Sequence, residues 1–487
     1  MRIVNELISY AKIHLGLNKF DETYIANQIC EIIGCTYSID ESEVDNEYIM
    51  SMNTPDLLID KLVEVLHIHD QDVKSVERQV TKIMGLLSLM PSNYESKFWE
   101  TYNVLGYDKA LDDLYDYQIK NNYIQKSKID RNLKWTYLYK DIELLITINR
   151  AKPEKDNKEA IQLLNKEEEK YPKCLLCYEN LGFQGNCSHP ARQNLRPVNF
   201  VLDGDEFFLQ FSPYLYFDKH FIVISKEHYQ MKQSEKTIRH LTDFVDIFPN
   251  SFLGQNAPLP IIGATIINHE HYQGGTAKLP IMEARDRFIA YKDKELTVSY
   301  LDFDSSTVKV ISRDKEKFIE VMNRIMATFK DYDNTTLGVL SKTTNQHNAV
   351  TPIVRSVNGN YEGYLVLRNN RISIDKPEGI FHVREKNHHI KKESIGLIEA
   401  MGLFILPGRL ANEIEDIKDC IKCGKVVDKP GMLHKYVVDN FVGNRLEDVI
   451  KEYIGEVCKE ILCDIAIFKD TATGNKAAAE FLAKINY

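Results

Sequence analysis

"NHEHYQGG", residues 268 to 275, sets His269, His271 and Gln273 at every second position and closes on two glycines. The run in front of it, "LPIIGATII" (259–267), is apolar, and "PIIGATIIN" (260–268), β-branched and bounded by turn residues, reads as a buried strand. If the extended backbone continues, positions 269, 271 and 273 project from one face. Gly274 and Gly275 then let the chain turn sharply or lie close against a ligand. Three nitrogen- or amide-bearing side chains converging at a strand end have the geometry of a site. The alternative is a polar strand end whose histidines face water, and the surroundings must decide between them.

Working outward, "KCLLCYENLGFQGN" (173–186) places Cys174 and Cys177 in a C-x-x-C turn, a spacing that lets two thiolates reach one tetrahedral zinc. His228 follows the strand-like "HFIVIS". Cys174, Cys177, His228 and His269 together could form a closed Cys2His2 structural zinc site, although no local spacing demands it; a pair of partly buried thiols is the other reading. A second C-x-x-C, Cys420 and Cys423, lies in a helical stretch without companion histidines and reads as incidental. "SHPARQNLRP" (188–197) carries Arg192 and Arg196, whose guanidinium groups suit bidentate phosphate contacts or a plain solvated surface. "LDGDEFF" (202–208) is a turn between strands in which Gly204 permits positive φ, beside aromatics able to sandwich a base. Lys391 and Lys392 open an apolar helical stretch, "HHIKKESIGLIEAMGLFILPGRL" (388–410), as phosphate contacts or as a solvated basic edge.

The chain as a whole has 487 residues, enough for roughly two to four domains. A net charge of −10 argues against non-specific nucleic-acid binding. No apolar stretch approaches the length of a membrane span. "MRIVNELISYAKIHLGL" has helical spacing and is not a signal peptide. Nine cysteines, an odd number without a repeating framework, predict reduced thiols and a cytoplasmic protein.

Residues 1 to about 150 read as mostly helical, from "ELISYAKIHL" through "SVERQVTKIMGLLSLM", with a helix cap at Asn53 or Thr54. "NRAKPEKDNKEA" (149–160) reads as a charged linker, and "AIQLLNKEEEKYP" resumes a helical pattern. From Cys174 onward strand-like runs enclose the helical "TIRHLTDFVDIFPN", which suggests an α+β unit with a largely antiparallel sheet. Strands and a helix recur from about 286, a hint of duplicated architecture without a sequence repeat. The chain after about 391 again reads as mainly helical.

Taken together, "CLLCYENLGFQG", "SHPARQNLR", "QFSPYLYFDKHFIVISKEHYQMK", "FLGQNAPLPIIGATIINHEHYQGG" and "IGLIEAMGLFILPGRL" resemble the bacterial type II branch of the galactose-1-phosphate uridylyltransferases, within the histidine-triad superfamily. The resemblance runs through most of the chain and is densest from Cys174 to Met282. It implies an α+β fold of two histidine-triad-like units, at 161–285 and 286–410, between a helical N-terminal region (1–160) and C-terminal helices (411–487). It implies uridylyl transfer from UDP-glucose to galactose 1-phosphate, giving glucose 1-phosphate and UDP-galactose. No organic cofactor, nucleic acid or membrane is implied, and a homodimer fits, since related enzymes share a site between subunits. By motif match His271 would be the nucleophile, His269 would support the loop, and Gln273 would hydrogen-bond the phosphoryl oxygens. Asn256, Gly263 and Thr265 match positions touching the nucleotide phosphates, and Phe200, Asp203 and Gly204 match the turn that holds uracil and ribose. Departures are Glu270, where the type I branch has proline, and Cys187 and Ser188 before "HPARQN".

The chemistry suits that reading. Neutral imidazole attacks phosphorus well near neutrality. A covalent uridylyl-histidine splits one displacement into two, so one site can serve two sugar phosphates in turn. Gln273 cannot act as a general acid but can stabilise charge on non-bridging oxygens. The alternatives are another histidine-triad nucleotide phosphorylase or adenylyltransferase, and a non-catalytic sugar-nucleotide-binding protein.

Overall fold

Ten strands build the body of the molecule: β3 (Val198–Leu202), β4 (Asp205–Phe211), β5 (Phe221–Ser225), β6 (Phe252–Gly254), β7 (His271–Gly275), β8 (Asp286–Lys292), β9 (Leu296–Leu301), β10 (Thr307–Ser312), β11 (Asn348–Val357) and β12 (Asn360–Asn369). They form one sheet in the order β3-β4-β5-β7-β6-β11-β12-β10-β9-β8, antiparallel throughout. From either edge inward the order is the same: three consecutive strands, then the fifth, then the fourth. In each half a helix links the third strand to the fourth, Glu235–Ile247 in the first and Lys315–Lys330 in the second. The two halves join where β6 pairs with β11, Leu253 opposite Val354. The expected duplication is therefore a single continuous sheet with a pseudo-twofold relation between its halves. The computed structural model describes residues 2–36, 44–150, 171–186, 188–424, 430–441, 443 and 445–487; Cys187 and most of the expected linker and following helix (151–170) lie outside them.

Burial assigns the two faces. Ile238, Leu241, Phe244 and Val245 of the first helix pack with Phe207, Leu209, Val223 and Tyr272. Phe318, Val321, Met322 and Ile325 of the second pack with Val308, Val310, Leu365 and Leu367 in the same core. Each helix begins at a cap that satisfies its first amides, the Ser234–Thr237 box and the Asp314 carboxylate on Lys317 N. A paired Arg239–Glu316 contact ties the helices together. The opposite face of the sheet is covered by Leu279, Ile281 and residues 395–406, with the Leu446–Ile465 helix behind them.

Two sequence expectations fail here. Residues 1–150 are mostly helical as expected, and they close on an unforeseen hairpin: β1 (Leu133–Tyr139) and β2 (Ile142–Asn149), whose turn residues, Lys140 and Asp141, take positive φ of 50° and 63°. "LFILP" is not helix but β13 (Leu403–Pro407), parallel to β2 in a three-stranded sheet. "LPIIGATII" is not a strand. It is an irregular loop with Ile261 at φ 77° and Gly263 at φ 116°, and the strand begins only at His271. A smaller difference is the Asp56–His67 helix, whose N-cap position is Pro55 with no side-chain cap.

Candidate active site

β7 lies between β5 and β6, near the middle of the first half-sheet. Tyr272 points to the helix-covered face, where its hydroxyl meets His240 Nδ1 at 2.9 Å. Strand alternation therefore turns His271 and Gln273 to the other face. On the same face of the second half, β12 carries Glu362, Tyr364, Val366 and Arg368, and no histidine. The architecture is duplicated and the chemistry is not.

His271 is buried, and its Nδ1 donates to the His269 carbonyl at 2.8 Å. That bond leaves the lone pair on Nε2. Burial pushes the imidazole pKa down to about 4, against the opposing effect of the carbonyl bond. A neutral ring with one nitrogen held and the lone pair left on the other is a nucleophile's arrangement. Gln273 is half-buried beside the His220 ring, itself fully buried and lowered to about 4 by desolvation. Neither His220 nitrogen reaches full hydrogen-bond geometry, and Tyr216 stacks on that ring at 4.9 Å.

His269 precedes the strand and faces a different group. Its Nδ1 lies 3.2 Å from Cys174 Sγ and 3.6 Å from Cys177 Sγ, while His228 Nδ1 lies 3.1 Å from Cys177 Sγ. The two sulfurs are 3.5 Å apart, and all four ligand atoms fall within 4.8 Å of one another. Tetrahedral bonds to nitrogen and sulfur imply ligand–ligand edges of about 3.3–3.8 Å, so the spacing suits one metal ion. His269 Nε2 donates to the Ser225 carbonyl at 2.8 Å, which fixes the tautomer and presents Nδ1 to the cluster. Contact with Cys174, then with the two imidazoles, pulls the Cys177 thiol toward thiolate, while the Cys174 thiol is held up by Cys177 and by burial. The adjacency of β5 and β7 brings His228 and His269 together, which no local spacing could have told. A second group, Glu378, His382 and His388, also gathers ligand atoms within 4.8 Å. Cys420 and Cys423 do not belong to any such group among the described residues.

Glu270, between the two histidines, is buried. Its carboxylate accepts from Lys232 N at 3.2 Å and from Gln255 Nε2 at 2.6 Å, and burial raises its pKa to about 7. Its backbone exchanges bonds with Tyr229 O and Ser225 N. Glu270, Gln255 and His220 were not among the expected site residues; only the departure from proline at 270 hinted at them.

The remaining expectations divide. Arg196 is not available to phosphate. Its buried guanidinium donates to the carbonyls of Leu89, Gln193 (2.9 Å), Leu195 (2.7 Å) and Gly85 (3.1 Å). Lys391 is likewise buried, held by Glu393 at 2.8 Å, Glu399 at 2.7 Å and the Ile405 carbonyl. Phe200 packs against Phe244 and Phe248 on the helix-covered face, away from His271. Asn256 Oδ1 accepts from Leu397 N at 2.7 Å, and Gly263 lies so close that an added Cβ would stand 2.5 Å from Ile395 O. Both residues thus lock the motif loop to the 395–397 turn. Arg192 lies over the Tyr123 ring, Asp203 and Gly204 form the β3–β4 turn with φ of 45° and 81°, and Thr265 and Lys392 are exposed.

Comparison with known proteins bears on this arrangement. Residues 42–230 match the family model "Galactose-1-phosphate uridyl transferase, N-terminal domain". The galactose-1-phosphate uridylyltransferase of Caldanaerobacter subterraneus is 38% identical over 91% of this chain and 90% of its own. The chain belongs to the galactose-1-phosphate uridylyltransferase family. Enzymes of the same name from Halalkalibacterium halodurans and Bacillus subtilis are 33% and 34% identical over 99% of this chain, covering 98% and 97% of their own. The relatives therefore span the helical N-terminal region as well as both half-sheets. Among solved structures, yeast Ap4A phosphorylase Apa2 is similar at 10% identity and a TM-score of 0.31, over 64% of this chain and 96% of its own; at that score it adds nothing to the family assignment. No helix among the described residues is long and apolar enough to cross a membrane.

Proposed function

We propose that the protein transfers a uridylyl group from UDP-glucose to galactose 1-phosphate through a covalent uridylyl-His271 intermediate. The observation that carries this reading is the state of His271, buried, neutral and tautomerically fixed by the His269 carbonyl with Nε2 left to attack. His271 Nε2 attacks the α-phosphorus and the bond to glucose 1-phosphate breaks. Galactose 1-phosphate then attacks the same phosphorus and returns the imidazole. The leaving group is itself a phosphate, so no general acid is required, which agrees with glutamine at 273. The Gln273 amide stabilises charge on the non-bridging oxygens. Arg192, Asp203, Gly204, Gly263, Thr265 and Lys392 remain in the proposed substrate envelope, and Asn256 acts by holding the loop.

Zinc suits the Cys174, Cys177, His228 and His269 donor set, soft thiolates paired with imidazoles in a closed shell. Its contribution would be structural: fixing His269, and through the carbonyl of that residue the ring of His271. Free thiols at all eight described cysteines support a cytoplasmic setting, and a homodimer completes the reading.

The test is isotope exchange between labelled glucose 1-phosphate and UDP-glucose without galactose 1-phosphate. A covalent intermediate makes the exchange proceed at a rate comparable to overall transfer. No exchange, with overall transfer intact, would show direct displacement and remove His271 from the nucleophile's role.

A further inference from the structure

Between the Val73–Leu87 helix and residues Gln184, Gly185, Asn186 and Gln193 lies a cleft of about 600 Å³ that the transfer chemistry does not use. Lys74, Arg78 and Lys82 line it from one side of the helix, four residues apart and so on one face. The facing wall carries the amide side chains of Gln184, Asn186 and Gln193. Among the residues that line it, Asp72 is the sole carboxylate, 3.9 Å from Arg78. Three cations against one anion leave the cleft at +2 in a chain whose net charge is −10.

The cleft is built, not an accident of loosely apposed parts. Arg196 bonds Gly85 O at 3.1 Å on the helix and Gln193 O at 2.9 Å on the loop, bolting one wall to the other. Gly85 itself permits the close approach, since a Cβ there would lie 2.7 Å from the Gln193 side chain. Among the described residues the buried Gln193 amide oxygen has no hydrogen-bond partner, and a ligand hydroxyl would satisfy it once the amide turns. Lys74 and Lys82 are exposed and have no ion-pair partner among the described residues.

The composition selects a ligand class. Lysine and arginine supply charge-assisted bonds to a phosphate group. Amides beside them match vicinal hydroxyls. Among the described residues no aromatic ring lines the cleft, which gives a nucleobase nothing to stack on and disfavours a nucleotide sugar. We propose that this cleft binds the phosphomonoester of a sugar, at a site separate from His271 and built jointly by the helical N-terminal region and the segment that precedes β3. The assignment stands independently of whether His271 carries uridylate.

Titration calorimetry on the full-length protein tests it, with glucose 6-phosphate as the probe, inorganic phosphate as the comparison, and a Lys74→Ala/Lys82→Ala variant beside the wild type. Both lysines lie on a helix surface and alanine favours the helix, so the variant should fold. The expected result is binding to the wild type that weakens by about tenfold or more in the variant, with transfer from UDP-glucose unchanged. No binding to the wild type, or equal affinity in the variant, would overturn the site. Inorganic phosphate binding as tightly as glucose 6-phosphate would overturn the sugar assignment. A failure of uridylyl transfer would appear in the activity control and not in these affinities.

Discussion

Burial of His271 has a kinetic consequence that can be worked out before any measurement. Its imidazole is pushed down to about 4 by desolvation. At pH 5.5 an imidazole of free pKa about 6.5 would be only about 9% neutral, whereas one at about 4 would be about 97% neutral. The two cases differ roughly tenfold in competent nucleophile at that pH. UDP-glucose is a phosphodiester with no proton to lose near neutrality, so the first half-reaction reports the enzyme alone. The assay is single-turnover release of glucose 1-phosphate from UDP-glucose across the acid range. The expected profile is flat from neutrality to about pH 5 and bends near pH 4. A midpoint near 6.5 would refute the reasoning, because it would mean that the attacking ring is solvated. Stability follows with the same sign. The unfolded chain binds the proton that the folded ring refuses, so stability is complete above about pH 6.5 and falls toward pH 4, by roughly 3 kcal/mol for this group.

Arg196→Met should leave the Gly85, Leu89, Gln193 and Leu195 carbonyls short of their donor; urea denaturation is expected to show a loss of roughly 3 kcal/mol. An affinity change for sugar phosphate without that loss would return Arg196 to the substrate. Cys177→Ser should abolish stoichiometric metal in elemental analysis and lower the melting temperature, while Cys420→Ser changes neither. Glu270→Gln keeps acceptors for Lys232 N and can still pair with Gln255, so kcat should stay within about threefold of wild type, whereas Glu270→Leu should lower kcat by about tenfold or more with little change in KM. Equal kcat in the two Glu270 variants would show that the loop needs no clamp there.

How much of this was legible depends on what each residue's signal reports. The β3–β4, β8–β10 and β11–β12 strands announce themselves by alternation and turn residues, and the Glu235–Ile247 and Lys315–Lys330 helices by apolar spacing. "LPIIGATII" carries the composition of a strand because it must be buried, but Ile262, Ala264 and Ile267 fill small apolar clusters from an irregular loop and pair with no strand. Positive φ at Ile261 and Gly263 breaks the extended run. "LFILP" shows the same ambiguity: five consecutive buried apolar residues fit a helix or an inner strand, and only its partner β2 decides. The β1–β2 hairpin is different, since "LKWTYLY" alternates and the signal was there to be read. At the site, the identities of Cys174, Cys177, His228 and His269 were readable as metal ligands, while their assembly rests on strand order. Arg196 and Lys391 misled because a cation looks the same in sequence whether it meets a phosphate or, as here, four backbone carbonyls around Arg196 and two buried carboxylates around Lys391.

The most direct test of the central claim is the intact mass of the protein after mixing with UDP-glucose alone, followed by peptide mapping and then by galactose 1-phosphate. The account predicts one added uridylate, located on His271, that vanishes when galactose 1-phosphate is supplied and never forms on His271→Ala. A wild-type protein that turns over both substrates without ever carrying the adduct, or carries it on another residue, would contradict it.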